Sequence, residues 1–290
     1  MTSTAKSQEW KKYRHELGGA IGIANYMGDL GGLSEEANPL TNYQFSNSRP
    51  ALGISYRFRI IERLSLRTNV LYARLFADDA TANSDSRKNR NLNFRTSVYE
   101  ISTQLEYYFF KERIGFNYIS ESAKNPVVSP LIAAYFFGGI GGFFFNPEGK
   151  TEDGDWEKLA DLDTEGQGLP GGPSDYSSFS VAIPLGIGIK YILNDKWSIG
   201  IEYGLRYTFT DYLDDVSGNY YSNSELLLQE KGALALSLSD KRVSENGNPS
   251  PTRYNGKGAR GNSDRMDAYM FSVITVNYRL KTGKQKRSRF

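Results

Sequence analysis

Histidine occurs once in this chain, at position 15, and cysteine does not occur at all. A serine or threonine nucleophile therefore has one candidate imidazole base, and thiolate metal sites and disulfides are excluded. The remaining residues able to do chemistry are carboxylates and cations. Arg57, Arg59, Arg67, Glu100, Glu106, Lys190, Glu202, Arg206 and Arg279 lie inside segments whose apolar residues recur at every second position. Asp161, Asp163, Glu165 and Gly166 are spaced loosely like a calcium loop. The twelfth position is Gly172 instead of a bidentate glutamate and no helix pattern flanks the segment, so it reads as a solvated acidic loop. Asp211, Asp214 and Asp215 form a second acidic cluster, suited to holding Ca²⁺ or to capping a turn through side-chain oxygens. Lys281, Lys284, Lys286, Arg287 and Arg289 crowd the C-terminal end, either as a solvated tail or as a handle for an acidic partner.

The elements that position these charges are strands. From 197 to 209, Trp197, Ile199, Ile201, Tyr203, Leu205, Tyr207 and Phe209 alternate with Ser198, Gly200, Glu202, Gly204, Arg206 and Thr208. Successive strand residues face opposite sides, so one face is wholly apolar and the other is small or charged. A dry core would resist Glu202 and Arg206, whereas lipid outside and a polar lumen inside suit both faces. The same rhythm sets Phe179, Val181, Ile183, Leu185, Ile187, Ile189 and Tyr191 against Lys190 and its neighbours, Tyr99, Ile101, Leu105 and Tyr107 against Glu100 and Glu106, and Leu52, Ile54, Tyr56 and Phe58 against Arg57 and Arg59. In the last strand Tyr269, Phe271 and Val273 share parity with Asn277 and Arg279, which calls for a bulge or for apolar filling of the lumen.

Eight strands are expected, at 15–26, 49–60, 64–77, 94–110, 129–145, 179–192, 197–212 and 268–280. Tight turns at 61–63 and 193–196 alternate with long loops at 27–48, 78–93, 146–178 and 213–267; only the link 111–128 is long for a tight-turn rim, and its Ile114, Phe116 and Tyr118 suggest a packed, partner-docking excursion. The fold class is thus all-β: an eight-stranded antiparallel up-and-down transmembrane β-barrel with long extracellular loops, its domain spanning 15–280 between a tail at 1–14 and a basic tail at 281–290, with both tails periplasmic. Gly 29, Tyr 20 and Phe 16 fit this reading, and no run approaches the roughly 20 apolar residues of a spanning helix. Residues 1–14 lack the apolar core of a secretory signal, so the numbering is read as starting at a processed end. A net charge of +2 gives no global surface for nucleic acid.

An eight-stranded barrel has an interior about filled by side chains. Its inward charges, taken as balanced in sign, should pair into a plug that closes the lumen. His15 falls at the tight-turn rim, away from any nucleophile, so no catalytic residue, cofactor or metal is assigned. Pro184 removes a ladder hydrogen bond, and the glycines at 138, 139, 141, 142, 186 and 188 read as strand curvature and not as a phosphate loop.

Four segments carry a family resemblance: 25–30 (NYMGDL), 138–147 (GGIGGFFFNP), 164–168 (TEGQG) and, above all, 210–220 (TDYLDDVSGNY). They resemble the PorG-like outer-membrane barrels of Bacteroidota, and the resemblance runs over 16–280. It implies an eight-stranded barrel of the type IX secretion and gliding apparatus, whose partners are a periplasmic ring lipoprotein and that lipoprotein's own partner, and it implies no active site. The contact surface would be the tight-turn rim and the basic tail. Two other readings are a surface-binding barrel, with Tyr220, Tyr221 and Tyr254 in the ligand-recognising loops, and a small-solute channel with an open lumen.

Overall fold

The computed structural model describes residues 9–32, 45–109 and 131–282. The barrel strands are β1 (His15–Met27), β2 (Arg49–Ile61), β3 (Leu64–Asp78), β4 (Asn93–Tyr108), β5 (Ile132–Phe144), β8 (Phe179–Ile192), β9 (Trp197–Thr208) and β10 (Ala268–Leu280). Each pairs antiparallel with its neighbours, β3 pairs with β4, and β1 pairs with β10 from His15↔Leu280 to Met27↔Ala268, which closes the cylinder without an edge. Between β5 and β8, the short strands β6 (Pro147–Lys150) and β7 (Trp156–Lys158) form a hairpin that extends β4 above the barrel. The helices are α1 (Asp85–Arg90) and α2 (Ser224–Ser239).

Exposure follows the two-residue rhythm. Ile54 and Ile201 are each 66% exposed, while their neighbours Arg57 and Glu202 are 2% and 7% exposed. The outer wall is layered. Tyr56, Tyr107, Phe109, Phe136, Tyr191 and Trp197 ring the rim of the tight turns, Tyr99, Phe144, Phe179, Tyr207 and Phe209 ring the opposite rim, and aliphatic side chains lie between. Tyr99 and Tyr107 stand eight residues apart on β4, about 26 Å along the strand, or about 20 Å of height at a strand tilt of about 40°, against about 25 Å for the apolar band of a membrane barrel. Among the described residues no helix is long and apolar enough to cross a membrane. One patch of the wall departs from the expected lipid-facing set: Leu205 is buried with Met27, Ala268 and Met270, under Tyr203, whose hydroxyl lies 3.3 Å from the Met270 sulfur.

Several local expectations are corrected. β9 stops at Thr208, earlier than the apolar alternation suggests, because Thr208 turns its hydroxyl onto the Asp267 carbonyl and the chain leaves the barrel there, and β4 ends at Tyr108. β10 carries no bulge; its register runs unbroken against both neighbours, and Tyr269, Phe271 and Val273 fill the lumen. The one register shift lies between Arg59 and Ile61. Pro184 does interrupt a ladder: β5 and β8 pair through Gly138↔Leu185 and resume at Gly141↔Ala182, the gap falling opposite the residue without an N–H. Gly139 stands where a side chain would run into the Thr103 carbonyl of β4, 2.1 Å from its Cβ position, so the β4–β5 contact requires glycine. The 213–267 stretch is no plain loop, since α2 starts at the Asn223 cap, whose side chain accepts the Leu226 amide at 3.0 Å, and breaks at Gly232.

Candidate functional site

Two polar constructions occupy the barrel, one in the lumen and one across the loop rim. In the lumen every strand except β5 contributes a charge, and β5 contributes Tyr135. Arg57 grips Glu106 with both forks, Nε to Oε2 at 2.5 Å and Nη2 to Oε1 at 3.0 Å, and also donates to Glu16. Arg67 pairs with Glu202 at 2.5 Å and with Glu106 at 3.0 Å, and donates to Gln104 at 2.7 Å. Lys190 meets Glu16 at 2.7 Å, and Arg279 approaches the same carboxylate at 3.4 Å. Tyr135 donates to Glu202 at 2.5 Å and Tyr108 to Glu106 at 3.0 Å. Nearer the loop rim, Glu100 takes Arg206 at 3.2 Å and the Tyr269 hydroxyl at 3.0 Å.

The nine expected inward charges are thus brought together, with one addition and one correction. Glu16 is the hub of the tight-turn end and was not singled out from the sequence, although Leu17 and Ile21 on the opposite parity point to it. The signs are not balanced. Six cations (Arg57, Arg59, Arg67, Lys190, Arg206, Arg279) face four carboxylates (Glu16, Glu100, Glu106, Glu202) among the described strand residues. A void along the network, bounded by Arg67, Glu202, Arg206 and Phe271, is about 30 Å³, room for little more than one water. Above Arg206 an apolar layer that includes Leu75, Phe94, Phe143, Phe145 and Phe271 completes the seal.

The second construction caps this layer. Glu165, expected in a solvated acidic loop, is 2% exposed: it accepts the amides of Ser217 at 3.0 Å and Gly218 at 3.2 Å and pairs with Arg260 at 3.1 Å. Arg260 also donates to the carbonyls of Asp215 and Ser239. The Asp215 carboxylate takes the hydroxyls of Thr164 at 2.5 Å and Tyr176 at 2.6 Å. Asp163 forms an ion pair with Lys231 on α2. Gly166 has φ +74° and a Cβ there would strike the Tyr221 ring, so glycine fits for two independent reasons. Tyr220 and Tyr221 are each 6% exposed and pack the cap, with Arg242 over the Tyr220 ring at 4.2 Å, and Tyr220 also lines a polar cavity at the loop rim.

Burial raises the pKa values of four aspartates at the cap. Asp211 is pushed up to about 7, with Asp29 and Glu165 adding to the effect and Ser217 opposing it. Asp215 is pushed up to about 6 against the pull of Arg260 and its two hydroxyl donors. Asp214 and Asp267 are raised well above the usual carboxylate range by burial and by their acidic neighbours. The Ca²⁺ expectation for this cluster gains no support, since among the described residues no group of carboxylates is arranged to hold a metal ion.

His15 stands at the start of β1, its Nδ1 2.5 Å from the Tyr56 hydroxyl and its ring against Phe58, as part of the aromatic rim. Beside it the segment before β1 is tied to its neighbours: Arg59 donates its amide to the Arg14 carbonyl at 2.8 Å and Thr282 to the Lys12 carbonyl at 2.9 Å. Lys281 is exposed at the end of β10. Phe116, Tyr118, Lys284, Lys286, Arg287 and Arg289 lie outside the described residues.

The four segments singled out in the sequence converge on the cap. Tyr26 and Asp29 from 25–30, Phe145 from 138–147, Thr164 and Glu165 from 164–168, and Leu213 to Tyr220 from 210–220 all meet there. The chain belongs to the family described as "Domain of unknown function (DUF6089)", which it matches over residues 3–158 and 171–234. No curated protein matches it in sequence. Among solved structures it is similar to a major outer membrane protein from Thermus thermophilus, with a TM-score of 0.39 and 11% identity, covering 92% of this chain and 99% of that one. It is also similar to Ail, the attachment invasion locus protein of Yersinia pestis, with a TM-score of 0.38 and 9% identity, covering 92% and 99%. The outer membrane protein OprG from Pseudomonas aeruginosa gives a TM-score of 0.37 at 10% identity, covering 93% and 98%.

Proposed function

We propose that this DUF6089 protein sits in a bacterial outer membrane with both termini toward the periplasm. There it serves as a non-enzymatic structural subunit of the type IX secretion and gliding apparatus, holding a periplasmic ring lipoprotein and its partner to the membrane. The observation that supports the reading is the convergence of the four resemblance-bearing segments, scattered from 25 to 220, on one buried cap. The sealed lumen supports a role played by surfaces, and the tight-turn rim, with exposed Lys281 beside the tied segment before β1, is the side such a partner would use. Recovery of the chain from outer membranes solubilised in mild detergent should bring the ring proteins with it. Their absence, with the barrel itself intact, would overturn the assignment.

A second reading, recognition of an extracellular ligand by the loops, is favoured by one observation. A polar cavity of about 780 Å³ opens at the loop rim, between Arg87 and Arg90 of α1 and the segment holding Arg242, Ser250 and Thr252. Loop deletions that abolish ligand binding while secretion continues would favour that reading over the first.

A further inference from the structure

The outer ends of β1 and β10 and the start of the segment between β9 and β10 meet at one hydroxyl. Tyr26 Oη lies 2.6 Å from Asp214 Oδ2 and 2.5 Å from Asp267 Oδ1, and it accepts the Asp29 amide at 3.0 Å. A phenol has a single proton to donate. The Asp29 N–H takes one lone pair of the oxygen, and the phenol proton goes to one carboxylate. The remaining short contact is a hydrogen bond only if the other carboxyl is itself protonated and donates to the phenol oxygen; otherwise two acceptors face each other. Water offers no relief, since Tyr26, Asp214 and Asp267 are 9%, 0% and 1% exposed. The second oxygen of each carboxyl is already committed, Asp214 Oδ1 to the Val216 amide at 3.0 Å and Asp267 Oδ2 to the Leu213 amide at 3.0 Å.

The charged groups around the triad do not neutralise it. From the 28–32 segment comes Asp29, whose Oδ2 accepts the Asn262 amide at 2.7 Å. From α1, Arg90 is spent on Asp79 and on the carbonyls of Asp29 and Arg260, and Arg87 donates to the Gly31 carbonyl. Within the cap lie Asp211, Asp215 and Glu165, with Arg260 engaged by the last two. Below, Arg206 and Tyr269 are held by Glu100. We propose that Tyr26, Asp214 and Asp267 form a proton-binding site that latches the cap: one proton shared between the two aspartates holds the 209–217 segment on the barrel, and its loss releases that segment.

The sign follows from linkage. The carboxyls of Asp214 and Asp267 bind protons more tightly in the closed cap than in a released one, so closure is fully favoured in acid and weakens as pH rises through their raised pKa values. Asp211 and Asp215, at about 7 and about 6, titrate in the same sense and add to the loss.

The full chain in lipid vesicles provides the test. Hydrogen exchange at the Leu213 and Val216 amides, corrected for the intrinsic pH dependence of exchange, should show protection that falls as pH rises, by up to about tenfold per pH unit between the ordinary carboxyl pKa and the raised one, and levels off above it. An infrared band of a protonated carboxyl should disappear where that fall levels off. Asp214→Asn and Asp267→Asn place a permanent donor beside Tyr26, and each should weaken that band and flatten the pH profile while keeping the amides protected. Tyr26→Phe should lower protection at every pH. Protection independent of pH in the unmodified chain overturns the proposal, as does the absence of the infrared band. Protection at high pH that depends on added Ca²⁺ and is lost to a chelator also overturns it, by showing a cation in the proton's place. The infrared and exchange readings on the unmodified chain decide the matter even if a variant fails to assemble.

Discussion

Arg57 joins two glutamates from different strands, Glu16 of β1 and Glu106 of β4, inside a lumen that admits almost no water. A guanidinium suits this task because its planar fork meets a carboxylate at two points and keeps its charge in any surroundings. Such a network is not a source of large net stability, since desolvation of each ion offsets most of the attraction, but removing one member strands the buried oxygens it served. Glu106 keeps Arg67 and Glu16 keeps Lys190 and Arg279, so Arg57→Met should lower stability by about 1–3 kcal/mol, the cost of leaving buried acceptors without a donor, read as the urea midpoint of the detergent-solubilised chain; no measurable loss would mean that water reaches the site. At this scale the sequence was legible wherever a charge sat between outward apolar residues of known parity, as with Lys190 between Ile189 and Tyr191. It was not legible for Glu165, because burial by Arg260, 95 residues away, leaves no local trace.

Strands carry the recognisable pattern and loops hide theirs. β8 and β9 alternate without interruption over most of their length, so their faces and their lipid-side aliphatics could be assigned residue by residue. Ile201 stands in the middle of the aliphatic band, and Ile201→Arg should cost about 2–4 kcal/mol in reversible unfolding from lipid vesicles, whereas the same change at a residue near the rim should cost about 1 kcal/mol or less. Equal costs at both depths would contradict a membrane-spanning wall. Helix α2 was missed for a physical reason: its leucines and alanines surround the axis instead of forming a stripe, and Gly232 breaks it, so hydrophobic periodicity gave no signal. The cue that was present is the Asn223 cap ahead of Ser224, Glu225 and a run of strong helix formers. The β6–β7 hairpin escaped similarly, since its strands are only four and three residues long and, besides their own pairing, are held by the Arg95–Glu148 pair at 2.5 Å and by Arg95 over the Trp156 ring at 4.4 Å, contacts made across the rim.

As a whole, the molecule is a cylinder with a greasy exterior, an ion-paired interior and a lid knitted from its longest connections. The lid and the plug act in series: the apolar layer of Phe94, Phe143 and Phe271 lies under Asp214 and Asp267 and over the Glu100–Arg206 pair. Passage of a solute would have to displace both the paired charges around the 30 Å³ void and the cap above them. We propose accordingly that this barrel works through its outer surfaces and not through its lumen. Single-channel recording across a planar lipid bilayer tests it most directly: the inserted chain should show no steady conductance, and a stable open level of porin size would contradict the claim.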